Sequence, residues 1–99
     1  MLHIVNKPDS GSDALRRCLN LALPDASLLL IEDGVFNVLP GSSGFQLLCE
    51  QPSTLRIYAL QEDLRARGLS ELLPEQVTPV DYDGFVVLTE QHTKSLSWG

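Results

Sequence analysis

The sequence predicts a three-layer α/β/α domain on a mainly parallel sheet of about four to five strands. Three observations predict it. Short apolar runs closed by turn clusters alternate along the chain with stretches of helical period. One of those runs, Ser27 to Ile31, is almost uniformly apolar, the pattern of a strand covered on both sides within a parallel sheet. Strands that alternate with helices pair in parallel through right-handed crossovers, which lays helices on both faces of the sheet.

Taken in order, Leu2 to Val5 is a strand that enters the core at once, and Lys7-Pro8-Asp9-Ser10-Gly11 turns the chain after it. Ser12 and Asp13 offer an N-cap to a helix whose Leu15, Cys18, Leu19 and Ala22 recur at i, i+3, i+4 and i+7 and so share one face, ending before Pro24. Ser27 to Ile31 is the central strand, and Glu32-Asp33-Gly34 is its turn. Val35 to Glu50 is interrupted by Gly41, Ser42, Ser43 and Gly44, with Phe45, Leu48 and Cys49 marking a short helix after the break. Leu55 to Leu60 is a third strand with β-branched and aromatic residues at its centre. Next comes a short helix with Glu62 and Asp63 in its first turn, Arg65 and Arg67 in its last, and Gly68 as a left-handed cap. Val77 to Val80 is a fourth strand with Pro79 at a tolerated edge position. Asp81 or Asp83 caps a final helix carrying Phe85, Leu88 and His92 on one side, and the tail runs to Trp98. Phe36, Phe45 and Tyr58 are assigned to the core.

Ninety-nine residues, 43% hydrophobic and 20% charged, make one domain over residues 1–99 with a core of its own. The longest apolar run is far too short to span a bilayer and no signal pattern opens the chain, so a cytosolic protein away from membranes is expected. A formal net charge of −6, with no basic patch, argues against direct nucleic-acid binding, which draws its affinity from Lys and Arg. Cys18 and Cys49 have no CxxC spacing, so free thiols are expected and neither a disulfide nor a zinc site. There is no phosphate loop and no nucleophile elbow, and no cofactor is called for. Asp33-Gly34 after a buried strand suggests a phosphoacceptor, but an acidic pair and a lysine at the other strand ends are missing, leaving turn chemistry. In a sheet of this kind a small-molecule site belongs outside the carboxyl ends of the strands, near Asn6, Asp33 and Gly34, Gln61 to Asp63, and Asp81 with Tyr82.

Four segments recur in an order that carries a resemblance: LHIVNKP at Leu2 to Pro8, LLLIEDGV at Leu28 to Val35, IYALQEDLRARG at Ile57 to Gly68, and DYDGFVVLTEQHTKSLSW at Asp81 to Trp98. Together they resemble the TusB/DsrH family of small subunits of bacterial sulfur-relay complexes, nearly end to end. The resemblance implies the DsrEFH-like α/β fold. It also implies a subunit of a persulfide sulfurtransferase heterohexamer, alongside TusC/DsrF-like and TusD/DsrE-like chains, fed and drained by upstream and downstream persulfide carriers. In the Tus setting such a complex supports 2-thiolation of the wobble uridine of tRNA. The alternative is a DsrH-type subunit in dissimilatory sulfur oxidation, with Cys18 handling persulfide sulfur. The well-supported carrier cysteine of the complex lies on the TusD/DsrE-type subunit, so the resemblance points to a non-catalytic, assembling role here. A stand-alone ligand-binding module is the reading that ignores the resemblance.

Some DsrH-like members carry a cysteine in the first helix, which makes Cys18 the sulfur-handling candidate of this chain. Its apolar face and its distance from the helix N-terminus argue instead for a packed core thiol. His3 could orient a thiol across the sheet, although a satisfied structural histidine is the plainer reading for both His3 and His92. Cys49, at a helix end, has only a packing role. Trp98 is the interface candidate: a large aromatic near a chain end needs a groove, on its own fold or on a neighbour, and the family likewise ends in a tryptophan.

Overall fold

A computed structural model describes residues 1–99. Five strands, β1 (Leu2–Val5), β2 (Ser27–Leu30), β3 (Arg56–Leu60), β4 (Val77–Val80) and β5 (Ser95–Trp98), form one sheet in the order β4-β3-β2-β1-β5, all parallel. Four helices join them: α1 (Ala14–Leu21), α2 (Ser43–Cys49), α3 (Gln61–Ala66) and α4 (Tyr82–Gln91). The fifth strand, which the sequence left as a tail, is the second edge; it pairs Leu2 with Ser95 and Val5 with Trp98.

The topology decides which face each helix covers. From β1 to β4 the chain steps across the sheet in one direction, so crossovers of one hand put α1, α2 and α3 on one face; the return from β4 to β5 runs the other way and puts α4 alone on the opposite face. The packing follows. The larger core joins Val5, Leu28, Leu30, Ile57 and Ala59 of the sheet to Leu15, Cys18, Leu48 and Leu64 of the three helices. A smaller cluster packs Leu88 of α4 on Leu2, Ile4 and Leu29, with Phe85, Tyr58 and Val80 half-buried at its margin. Because β2 lies between the two clusters, all four of its residues are buried, as its unbroken apolar run requires.

Local chemistry sets the ends. Asp81 caps α4 by accepting from the Gly84 N–H at 2.8 Å, and Ser42 caps α2 by accepting from the Phe45 N–H at 3.1 Å. The Gly-Ser stretch that looked like an interruption therefore contains the start of α2, preceded by a 3-10 run, Glu32–Val38. At α1 the expected cap is weaker: Asp13 makes no capping bond, and Ser12 Oγ accepts only from the Ala14 N–H at 3.1 Å. Gly68 takes φ +68° after α3, and the bonds from the Gly68 N–H to Arg65 O and from the Leu69 N–H to Leu64 O close a Schellman motif over two buried leucines. Pro79 sits on the edge strand β4. Phe36 and Phe45 are half-buried, not central, with Phe36 packed at the core margin under the Arg67 guanidinium. His92 lies just past α4, not on it.

Candidate functional site

Cys18 stands on the inner face of α1, 1% exposed, among the leucines and valines of the larger core. Burial alone pushes its thiol up to about 12, because the thiolate would have to form away from water. Arg17, its neighbour in sequence, points away to the Trp98 ring, 5.7 Å from the centroid.

His3 and Trp98 form a pair that the sequence reading did not connect. Parallel pairing of β1 with β5 places both side chains on the α1 side of the sheet, and the Trp98 indole N–H donates to His3 Nδ1 at 3.1 Å. That bond assigns the imidazole proton to Nε2 and holds His3 neutral. Burial lowers the His3 pKa, helped by the N-terminal amino group and by His92. Trp98 is half-buried: one part of it packs against the larger core, and it lines an open apolar pocket with Met1, Leu21, Leu23 and Leu96. The alternation of Leu96 with Trp98 was the available signal for β5. His92 sits on the other face, where Nε2 meets Ser27 Oγ at 3.0 Å; burial lowers its pKa too, with the N-terminal amino group second.

Cys49 is exposed rather than packed. It ends α2 at a cleft of about 250 Å³ shared with Leu55, Ile57 and Gln76, and the Gln76 amide donates to its sulfur at 3.0 Å.

At the carboxyl ends of the strands, much of the predicted ligand region is taken up by contacts of the protein with itself, whereas the buried Asn6 Oδ1 at the end of β1 has no hydrogen-bond partner. Arg67 binds Asp33 at 3.0 Å and Asp63 at 3.7 Å, Asp63 accepts from the Glu32 N–H at 2.6 Å, and Glu62 accepts from the Tyr82 N–H at 3.2 Å. Glu32 is held at φ +50° by that network. Beside it, Asp9 is clamped by Arg16 at 3.0 Å and by Ser43 at 2.5 Å, and the Asn37 amide bonds the Asp9 N–H and the Lys7 and Gly34 carbonyls. Asp33-Gly34 is a matter of packing: a side chain at Gly34 would strike the Val5 carbonyl, so β1 and the 3-10 run can approach only across a glycine. No group of three or more His, Cys, Asp or Glu gathers as metal ligands, and no helix is long and apolar enough to cross a membrane.

The molecule is thus a small doubly covered parallel α/β domain in which His3 and Trp98 are hydrogen-bonded to each other and the inner thiol is buried in the core. The family model for DsrH-like protein matches residues 8–95, and the chain belongs to the DsrH-like family. Among curated relatives, Protein TusB of Serratia proteamaculans is 40% identical and Protein TusB of Escherichia fergusonii 37% identical, each over 99% of this chain and all of the relative. The crystal structure of the ychN protein from E. coli superposes with a TM-score of 0.77 over 97% of each chain at 23% identity, a likeness of fold.

Proposed function

We propose that this chain is a structural subunit of a persulfide sulfur-relay complex that supports 2-thiolation of the tRNA wobble uridine, and that it assembles with TusC/DsrF-like and TusD/DsrE-like chains in a heterohexamer. Family membership with full-length TusB relatives supports the relay setting. The observation that carries the structural role is the state of Cys18: a sulfur carrier attacks as a thiolate, and a thiol sealed in the core with its pKa near 12 has almost none at neutral pH. The net charge of −6 suits a subunit that leaves RNA to its partners. The DsrH-type alternative with Cys18 as carrier requires α1 to lift off the sheet in every cycle.

The test is Cys18→Ala in the assembled complex, with thiolated tRNA measured in the host and sulfur transfer in vitro. Transfer retained at the wild-type rate supports the structural role. An intact complex that no longer transfers sulfur overturns it.

A further inference from the structure

The outward side of α4 is built against water. Phe85 and Leu88 point to the sheet, while Tyr82, Val86 and Val87 stay 61%, 42% and 48% exposed. Tyr82 and Val86 lie one turn apart, as do Asp83 and Val87, and Glu90 follows Val86 by another turn, so apolar and acidic side chains share one stripe. A helix that met only solvent would carry polar residues there. Valine brings no compensation through helix propensity, since its branched side chain loses rotamers in a helix. Tyr82 is also held ready: its ring stands edge-on to Phe85 at 6.0 Å between centroids, and its backbone N–H is tied to Glu62.

Charge identifies the occupant. From Asp81 to Gln91 there are three carboxylates, Asp81, Asp83 and Glu90, and no Lys or Arg, with Glu62 adjoining. A second copy of this chain on a two-fold axis would set Asp83 and Glu90 against themselves. The partner must bring apolar side chains ringed by Lys or Arg.

Resting on the relay reading above, we propose that the outward face of α4 docks one of the two sister chains, through apolar side chains that cover Tyr82, Val86 and Val87 and basic ones that meet Asp83 and Glu90. The experiment co-expresses the tagged full-length chain with both sister chains and reads assembly by native mass spectrometry, and affinity in titrations at low and high salt. Asp83→Lys with Glu90→Lys is expected to weaken assembly by about tenfold or more and to flatten its salt dependence. Val86→Glu with Val87→Glu is expected to abolish it, with thermal unfolding as the check on folding; if that pair misfolds, the charge pair decides. If the wild type binds neither sister chain, the relay reading and this surface fail together. If the wild type assembles and the charge pair assembles with unchanged affinity, or if only Leu21→Ser with Leu23→Ser, two exposed leucines at and just beyond the end of α1 on the opposite face, breaks the complex, this surface alone is overturned.

Discussion

At pH 8 the buried Cys18 should react far more slowly than an ordinary exposed thiol. An ordinary thiol with a pKa of about 8.5 is about one quarter thiolate at that pH. With its pKa at about 12, Cys18 is thiolate in only about one molecule in ten thousand, a fraction more than about a thousandfold lower; the greater nucleophilicity of a more basic thiolate returns part of that, so ionisation alone slows it by roughly tenfold to a hundredfold. Burial adds to the difference, because a reagent can reach a side chain 1% exposed only when α1 opens. The assay uses two single-thiol proteins, Cys49→Ser, which keeps Cys18, and Cys18→Ala, which keeps Cys49. Each is mixed with a disulfide reagent at pH 8 and followed by absorbance, then with polysulfide and followed by the mass of one added sulfur. Cys49 should react at once and Cys18 only after denaturant is added. Reaction of Cys18 in the folded protein within about tenfold of the Cys49 rate would refute the reasoning, since neither the ionisation nor the burial argument leaves room for it.

Three further outcomes follow from the packing. Trp98→Phe keeps a ring in the groove but strands His3 Nδ1, and should cost about 1 kcal/mol in urea unfolding; Trp98→Ala should cost about 2 to 3 kcal/mol, below the figure for a fully buried tryptophan because the ring is half-exposed. His3 and His92 are both held below the ordinary value of 6.5, so the unfolded chain binds their protons first; stability should be full above about pH 6.5 and fall as the pH drops toward the folded-state values, read from the fluorescence of the single Trp98. Gly34→Ala should destabilise by about 3 kcal/mol or more, as the new methyl meets backbone on β1 that cannot turn aside, whereas Gly11→Ala, in open space, should cost less than about 0.5 kcal/mol in the same melt.

The layering was legible because β2 cannot be apolar at every position unless both faces are covered, and because strands in alternation with helices leave little choice of pairing. Asp81 and Gly68 were legible as caps for the same local reasons that make them work. What escaped were features set by distance in sequence. SLSW alternates too briefly to read as a strand, and becomes one only because α4 returns the chain to the free side of β1. The bond between Trp98 and His3 spans the length of the chain and needs that register to exist. Gly34 reads locally as a turn, yet the reason it must be glycine is the carbonyl of Val5. Cys49 lies at a helix end that burial statistics would close, and the cleft beside Gln76 leaves it open.

On the proposed reading, a relay subunit with no thiol chemistry of its own would still stand beside persulfides, where a competing thiolate would divert sulfur. The fold meets that demand in two ways. Cys18 is removed by ionisation and burial together. Cys49 is removed by placement: it ends α2, on the three-helix face, while α4 covers the other side of the sheet. If the sister chain docks on α4, the exposed thiol faces away from the relay with the whole sheet between. Moving a thiol to the docking face should then do what neither native cysteine does. Val87→Cys in a Cys49→Ser background is expected to trap sulfur or to cross-link to the neighbouring subunit, both visible by mass, whereas Cys49 in the native complex should do neither.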